Sequence, residues 1–383
     1  MGKIGLLTFH YSNNFGGVLQ CYALYKFLKL KGYETEVINY IHSNYKKQSI
    51  LRGIGIRKNI FKSEMVDLVP STLFKRILIK ARYKKKISSK FNKFRESYME
   101  LSDEVDENSI ISILYKYDSI IVGSDQVWNP GRRKQKHYFL DFGEFFKGHK
   151  ISYAADSTIS EVESDHVAHL SRALKEFHKI SVRNDHTRLF VENLTGVKPP
   201  IVCDPTLLVS FSELVNKGKI RFNPEEKFIL VYVLGRDING SNKKLIKKIK
   251  EKYGYIKVYA IVIPTMKFNI PDYVDKVLYD LDPIEWLELF RKATFIVTDS
   301  FHGTLFSLKY HKPFIAYYAE KYRATRFIDL GKRYGIEGFI VNKVEDIDIK
   351  NSLDKTPDYD RLDKLINEHR KASETFLENA LKR

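Results

Sequence analysis

Short apolar runs alternate with longer amphipathic stretches through the first half of the chain. The apolar runs are rich in β-branched residues and stop at polar residues or glycine, which is typical of buried strands. The predicted strands cover 3–9, 34–39, 118–123, 150–155, 179–182 and 200–203, and the predicted helices cover 18–30, 161–177 and 184–195. Strands that alternate with helices predict βαβ units and a parallel sheet.

A second series of strands and helices begins after a polar stretch at 210–226, which contains Gly218 and Pro224 and reads as a linker. Its strands are predicted at 227–234, 256–263, 294–298 and 314–317, and its helices at 241–252, 283–291 and directly after residue 302. A last helix, over about 358–381, keeps its apolar residues on one face.

The two series predict an α/β fold in which two Rossmann-like domains with parallel sheets face a cleft. The length of 383 residues also favours two domains over one. We predict an N-terminal domain at 1–210, with an insertion at about 41–100, and a C-terminal domain at 227–357. Residues 358–383 are predicted to form a terminal helix that packs back on the N-terminal domain.

The positive charge of the chain is concentrated in the predicted insertion. Of the net +18, the segment 46–98 carries +13, from sixteen Lys and Arg against three Asp and Glu. Apolar residues between 73 and 81 recur there at helical spacing, which predicts a basic amphipathic helix. Such a helix can lie on an anionic membrane surface or pack its apolar face on its own domain. No nucleic acid partner is expected, because aromatic residues do not alternate with the basic ones as in a stacking surface.

The cysteines and the first apolar run favour a cytoplasmic protein, and the basic insertion leaves open a peripheral position at the inner face of the cell membrane. Cys21 and Cys203 each lie in an apolar segment, which suits buried thiols rather than a disulfide framework or a metal cluster. The run at 4–9 is too short for a signal segment or a membrane span. No metal ion or resident cofactor is expected, since no metal-ligand spacing or nucleotide-binding loop occurs in the sequence.

A polar turn between a predicted strand and a predicted helix, at 298–304, is the strongest candidate for a ligand site. It contains Ser300, His302 and Gly303. Free backbone N–H groups and the positive end of the helix dipole coincide at such a helix start, which favours anions. The alternative is that Ser300 only caps the helix and His302 is a structural loop histidine.

Polar residues also follow the predicted strands of the first half. The carboxyl ends of parallel strands meet at one edge of a sheet, so these residues are expected to line the same cleft. The candidates are Asn14, Gly16, Gly17, Asp125, Asp156, Arg183 and Asp204. Each has a plain structural alternative as a helix cap, a turn residue or a surface ion pair.

Six of these segments, in this order, resemble the polysaccharide pyruvyl transferase family. They are 8–24, 121–129, 152–155, 180–183, 204–208 and 299–304, within a resemblance that runs from residue 3 to about 330 and omits the basic insertion and the terminal helix. The resemblance implies a GT-B-like fold and the transfer of pyruvate, as a ketal, from phosphoenolpyruvate to paired sugar hydroxyls in bacterial surface polysaccharide biosynthesis.

The resemblance also implies roles for Arg183, His302 and Lys321, which match an arginine, a histidine and a lysine implicated in that family. One departure concerns the residue after the arginine, which is usually acidic in the family. Here Asn184 precedes Asp185, so a role for that carboxylate does not carry over.

The chemistry sets its own demands on these residues. Phosphoenolpyruvate carries a phosphate and a carboxylate, so its site needs cations and N–H donors. We expect His302 to bind the phosphate and Arg183 to hold the carboxylate, since a guanidinium with a pKa above ~12 is a poor acid. Asp125 or Asp156 is expected to accept a proton from a sugar hydroxyl. The acceptor is a saccharide, which such pathways commonly carry on a polyprenyl lipid.

Two other functions are compatible with the same residues. A nucleotide-sugar glycosyltransferase of the GT-B fold also needs an anion site in its second domain. A basic scaffold protein that binds membrane or nucleic acid without catalysis would use the charged insertion but would leave the polar strand ends unexplained.

Overall fold

Two parallel β-sheets form the framework of the computed structural model, which describes residues 2–43, 70–129, 136–161, 164–215, 226–263 and 271–382. Within these ranges the backbone alone is described at 70–82, 84, 164–165 and 321–322. All strand pairs within both sheets are parallel. The predicted α/β class with two parallel sheets is therefore confirmed.

The first sheet has the strand order β2-β1-β3-β4-β5. Its strands are β1 (Ile4–Leu7), β2 (Thr35–Val37), β3 (Ser119–Val122), β4 (His149–Ala155) and β5 (Lys179–Val182). The helices of this half are α1 (Phe15–Leu30), α2 (Pro70–Tyr98), α3 (Ser164–Lys175), α4 (Asp185–Thr195) and α5 (Ser212–Val215). Short 3-10 helices lie at Ile110–Lys116, Lys136–Phe139, Gly143–Phe145 and Pro205–Leu207.

The second sheet has the order β11-β10-β9-β6-β7-β8. Its strands are β6 (Phe228–Tyr232), β7 (Lys257–Ile261), β8 (Lys276–Leu278), β9 (Phe295–Thr298), β10 (Phe314–Tyr317) and β11 (Ile340–Val341). The helices are α6 (Asn242–Tyr253), α7 (Pro283–Lys292), α8 (Phe301–Lys309), α9 (Lys321–Tyr334), α10 (Asp346–Ile349) and α11 (Tyr359–Leu381), with a 3-10 helix at Glu337–Phe339.

Local sequence signals place most helix ends. The Asn14 side chain accepts a hydrogen bond from the Gly17 N–H and starts α1, three residues before the predicted start. Asn184 caps α4 in the same way, and Gly196 ends that helix in the left-handed region. Asp282 and Glu285 form a reciprocal capping box at the start of α7.

The sequence pattern is wrong or silent at a few elements. Residues 200–203 do not form a strand, because Ile201 meets Val182 through one isolated bridge, beside Pro200, which has no N–H to donate to a ladder. The short strands β8 and β11 and the helix α9 were not predicted. No side chain caps the start of α9, so the usual start signal is missing there.

Aromatic side chains from both halves of the chain share one core. Phe15, at the start of α1, stacks on Trp286 of α7 with ring centroids 5.6 Å apart, and it also contacts Phe91 of α2 at 5.0 Å. Helix α1 is buried along nearly its whole circumference, since it lies between the first sheet and the second half of the chain. The two sheets are thus joined by packed side chains at the base of the cleft.

The described end of α2 packs its apolar face on protein. Tyr83, Ile87 and Phe91 are buried in the shared core. Lys86 forms an ion pair with Asp280, and Lys90 lies 3.1 Å from a Glu285 carboxylate oxygen, so the basic face of this part also reaches the second half. Residues 83–98 of the basic helix therefore pack on the protein itself, which was one of the two expectations for this helix.

The terminal helix α11 contacts both halves of the chain. The Ser373 hydroxyl accepts a hydrogen bond from the Cys203 N–H at 2.8 Å, next to the first sheet. His369 Nδ1 lies 2.9 Å from the Tyr334 hydroxyl of α9.

Cys203 itself is buried, which raises the pKa of its thiol to about 11 and suits a packing role. Among the described residues, no helix is both long and apolar enough to cross a membrane.

Candidate active site

The predicted cleft lies where the carboxyl ends of the two sheets face each other. In the first sheet the strand order reverses between β1 and β3, and in the second it reverses between β6 and β9. Loops at such a reversal diverge and leave a crevice, which is the usual ligand site of an open parallel sheet. The loops after β3, β4 and β5 carry Asp125, Asp156 and Arg183 to this place.

Arg183 is the centre of a buried charge cluster. Its Nη2 donates to Asp156 Oδ2 at 2.6 Å and its Nη1 donates to Asp204 Oδ2 at 3.0 Å. Asp125 Oδ1 lies 3.6 Å from Nη2. The Arg183 side chain is only 3% exposed, and its Nε is buried with no hydrogen-bond partner among the described residues. The guanidinium is thus held by two carboxylates and approached by a third.

The charges in this cluster stabilise one another. Burial alone would lower the pKa of Arg183, but Asp156, Asp204 and Asp125 outweigh it and raise that pKa above its ordinary value. Burial would likewise raise the pKa of Asp204, but His302 and Arg183 hold it well below the ordinary value. Both groups are therefore charged at neutral pH.

The two carboxylates predicted as proton acceptors differ in access. Asp156 is fully buried and also accepts the Thr158 N–H at 2.7 Å. Burial would raise its pKa, but Arg183 and Arg326 outweigh that effect and lower it. Asp125 keeps 20% of its side chain exposed. Its backbone lies in the left-handed region at φ 74°, a conformation that costs free energy and that proteins often keep at functional sites. Of these two carboxylates, only that of Asp125 has surface open to a ligand.

Helix α8 starts within the predicted turn at 298–304, two residues before the predicted start after residue 302. The Ser300 hydroxyl accepts a hydrogen bond from the Gly303 N–H at 3.2 Å, so Ser300 is the N-cap of α8. His302 points away from its own helix, and its Nε2 lies 3.5 Å from Asp204 Oδ2 without hydrogen-bond geometry. Phe301 covers Arg183, with its ring centroid 4.5 Å from the guanidinium carbon.

Helix α1 brings its own N-terminus against His302. Gly16 lies so close that a Cβ at this position would stand 2.1 Å from His302 Nδ1. Gly17 donates to the cap residue Asn14 and approaches the Phe9 carbonyl. Two helix starts from the two halves of the chain, α1 and α8, therefore meet at one imidazole, and their dipoles favour an anion between them.

Two arginines of α9 were missed by the sequence analysis. Arg323 donates to Asp299 Oδ2 at 2.6 Å, and Asp299 also accepts the N–H groups of Leu234 and Gly235. Burial raises the pKa of Asp299, and Arg323 offsets part of that effect. Arg326 lies near enough to Asp156 to lower its pKa. The sequence offered little to find them: the two arginines are three residues apart, which places them on one face of a helix, but no cap signal predicted that helix.

The structure thus gathers Asp125, Asp156, Arg183 and His302, with Asn14, Gly16, Gly17, Ser300 and Gly303 around them. Asn14 and Ser300 serve as helix caps, which is the structural alternative, and they also fix the two helix starts. Lys321 is the first residue of α9, but its side chain lies outside the part of the chain that the structure describes. Asp185, the carboxylate displaced by Asn184, pairs with Arg188 on its own helix.

We expect Gly16→Ala to remove most activity from a folded protein. The added methyl group must displace the His302 ring from Asp204 and from the α1 start, at a cost of about 1–3 kcal/mol for overpacking. Part of this is offset, because alanine favours a helix by up to ~1 kcal/mol over glycine. Steady-state kinetics and urea unfolding measure both effects. Gly338→Ala is the control, since nothing lies within 4 Å of its added Cβ, and equal activity of the two variants would contradict the close contact.

Comparison with known proteins gives a family and a fold. The family model described as polysaccharide pyruvyl transferase matches residues 14–320. A search of curated protein sequences finds no match. Among solved structures, a putative UDP-N-acetylglucosamine 2-epimerase from Listeria monocytogenes is similar with a TM-score of 0.51 and 10% identity, covering 94% of this chain and 90% of that one.

Two further structures have the same overall similarity. UDP-GlcNAc 2-epimerase from Neisseria meningitidis gives a TM-score of 0.50 at 10% identity, covering 99% of this chain and 100% of that one. UGT89C1 from Arabidopsis thaliana gives 0.50 at 11% identity, with 98% of each chain covered. These neighbours have the GT-B fold, and at such low identity the similarity shows the fold alone.

Proposed function

The chain belongs to the polysaccharide pyruvyl transferase family, and we therefore propose that it moves pyruvate from phosphoenolpyruvate onto two hydroxyls of a saccharide. The product is a cyclic ketal and phosphate is released. The observation that carries the proposal is the pair of helix starts meeting at His302, beside Arg183 and an accessible Asp125.

The reaction balances with the groups at this site. Protonation of the donor's methylene carbon makes C2 electrophilic, and one sugar hydroxyl forms a C–O bond there. The second hydroxyl then forms another C–O bond at C2 as the bond to phosphate breaks. Two hydroxyl protons are lost, of which one replaces the proton given to the methylene carbon and the other leaves with phosphate. One acid and one base are sufficient for these transfers.

We assign the anionic groups of the donor to the helix starts and to the cations. The imidazole of His302 and the N–H groups that open α8 suit the phosphate. Arg183 would hold the donor carboxylate through its remaining N–H groups, including the buried Nε that has no partner among the described residues. Its tight ion pairs give it a second role, since they hold Asp156 and Asp204 in place around the site. Lys321 is proposed to bind phosphoenolpyruvate as well, and this proposal rests on the family resemblance alone.

Of the two candidate bases, Asp125 is assigned the acceptor hydroxyl. Asp156 is fully buried and has both oxygens engaged, one by Arg183 and one by the Thr158 N–H. Asp125 lies next to it, 3.6 Å from the Arg183 guanidinium, and keeps 20% of its side chain exposed. A carboxylate in this position can take a proton from a sugar hydroxyl and orient it toward C2.

The test is phosphate release from phosphoenolpyruvate that depends on an added saccharide. We expect release to require the acceptor and to continue in EDTA, because the cationic charge needed for the donor is supplied by side chains and helix starts. Loss of turnover in EDTA that a divalent ion restores would show that a metal takes part. Protection from thermal unfolding by a nucleotide sugar, with none by phosphoenolpyruvate, would favour a glycosyltransferase instead.

We also propose that the basic insertion holds the protein at the cytoplasmic face of the membrane, where a polyprenyl-linked acceptor would be concentrated. Support comes from the +13 of segment 46–98 and from the attraction of polybasic segments to anionic lipid. Residues 83–98 already pack on protein. The membrane contact is therefore assigned to residues 46–82 of the insertion, whose side chains lie outside the part of the chain that the structure describes.

Sedimentation with anionic liposomes is expected for the wild type, with weaker binding as salt rises. Changing Lys75, Arg76 and Lys80 to Glu should weaken it and spare the Lys86 and Lys90 ion pairs. The control changes Lys243, Lys244 and Lys247, three exposed lysines of α6, to Glu. Equal losses in the two triple variants would point to overall charge rather than to the insertion.

A further inference from the structure

The arginines around the site differ in how far their charge is already neutralised. Arg183 donates to Asp156 and Asp204, and Arg323 donates to Asp299 and lies 3.8 Å from Glu320. Arg326 forms no hydrogen bond or ion pair with any described residue, and its Nε is buried without a partner. An arginine that is paired with carboxylates has fewer N–H donors free for a ligand, whereas Arg326 donates to no carboxylate among the described residues.

Arg326 belongs to the second half of the chain and lies near enough to the buried cluster to interact with Asp156 and Arg183. It lies in the second turn of α9, a helix that connects two strands of the second sheet. Asp156 and Asp125 follow strands of the first sheet. Burial lowers the pKa of Arg326, Asp156 offsets part of that effect, and Arg183 lowers it further. Without an anion of its own, a half-buried guanidinium beside another guanidinium is unfavourable. An added anion would remove this cost.

We propose that Arg326 binds an anionic group of phosphoenolpyruvate from the C-terminal side of the cleft. This inference rests on the proposed function and adds a donor-binding residue to it. A guanidinium can hold a phosphate or a carboxylate through two parallel N–H···O bonds. His302 also comes from the second half of the chain, so His302 and Arg326 would approach the donor from that half, and Arg183 and Asp125 from the other.

The test compares Arg326→Gln with Lys332→Gln. Lys332 is an exposed lysine of the same helix, so both changes remove one positive charge from α9. Loss of a charge-assisted contact is expected to raise KM for phosphoenolpyruvate by ~10–100-fold, with a smaller change in kcat, because the contact already forms in the bound ground state. Lys332→Gln should change KM less than ~2-fold. Arg326→Lys should fall between wild type and Arg326→Gln, since it keeps the charge without the bidentate geometry.

Thermal unfolding separates ligand binding from a structural role. Arg326→Gln is expected to unfold, without ligand, at or above the wild-type temperature, because it removes a charge that burial makes unfavourable and that has no hydrogen-bonded anion among the described residues. Protection by phosphoenolpyruvate should be lost. Inorganic phosphate and pyruvate, tested separately, identify the group that is held: lost protection by phosphate assigns Arg326 to the phosphate, and lost protection by pyruvate assigns it to the carboxylate.

The two levels of the proposal fail differently. Wild-type turnover with phosphoenolpyruvate and an acceptor, together with unchanged donor affinity in Arg326→Gln, would overturn the role of Arg326 and leave the transferase function intact. A lower unfolding temperature of unliganded Arg326→Gln with normal protection would also overturn it, as a structural role. A wild type that binds neither phosphoenolpyruvate nor phosphate would overturn both.

Discussion

Arg183→Met is expected to lower the free energy of unfolding by about 3–5 kcal/mol and to abolish phosphoenolpyruvate-dependent turnover. The change removes the partner of two buried carboxylates, Asp156 and Asp204, which are 0% and 2% exposed. An unpaired buried carboxylate must either take up a proton or draw water into the core, and both outcomes cost free energy. Methionine fills a similar volume, so the loss measures charge rather than a cavity.

Urea unfolding followed by circular dichroism measures the stability change, and phosphate release at a temperature where the variant is folded measures turnover. Arg172→Met is the control, because Arg172 is exposed on α3 of the same half of the chain, and its change should stay within about 0.5 kcal/mol. Arg183→Lys keeps the charge but cannot span both carboxylates, so an intermediate loss is expected. Equal stability of Arg183→Met and Arg172→Met would refute the central position of this side chain.

His302→Ala is expected to reduce kcat/KM for phosphoenolpyruvate by about 10²–10⁴-fold while the protein stays folded. The imidazole stands where the two helix starts meet, and Asp204 lies 3.5 Å from its Nε2. Its removal takes away a donor aimed at the site and leaves Asp204 paired with Arg183. We therefore expect a larger effect on activity than on stability, opposite to the balance expected for Arg183→Met.

Isothermal titration with phosphoenolpyruvate separates binding from chemistry. A weaker affinity that accounts for the whole loss would make His302 a donor ligand, whereas normal affinity with slow turnover would make it the acid. His169→Ala is the control, because His169 is a partly exposed histidine on α3, near Asp141. If the two histidine variants bind and turn over the donor equally well, His302 has no part in the site.

Sequence reasoning reached the fold because its signals are local. Apolar runs ending at Asp, Arg or a Gly-containing turn identify a parallel strand and its carboxyl end within a few residues. The end of β5 at Val182 was predicted in this way, and the start of α8 after Ser300 was predicted to within two residues. Short edge strands were not predicted. The strand β11 has two residues, which are too few to show a periodic pattern.

The partners of the site residues, in contrast, were set by tertiary structure. The sequence indicated that Asp156 and Arg183 would share one edge of the sheet, because parallel strand ends gather there. It did not indicate that Arg183 would be enclosed by carboxylates, with only 3% of its side chain exposed, since that depends on how three loops fold over one another. The same holds for Asp125 and Asp156, two similar strand-end acids that differ in access only because one lies beneath the other.

Contacts across the cleft were the least readable of all. Gly16 and His302 are far apart in the chain, and their contact depends on how the two sheets are placed by the shared core around Phe15 and Trp286. Arg326 lies in a helix without a cap signal, so its role depends on the same placement. By itself, the sequence determined most of the strands and helix starts and the polar residues at their ends, because short-range sterics and hydrogen bonds specify these. The tertiary structure alone decided which charges are neutralised and which are left for a ligand, because charge pairing depends on distances and burial that arise only when the two halves pack together.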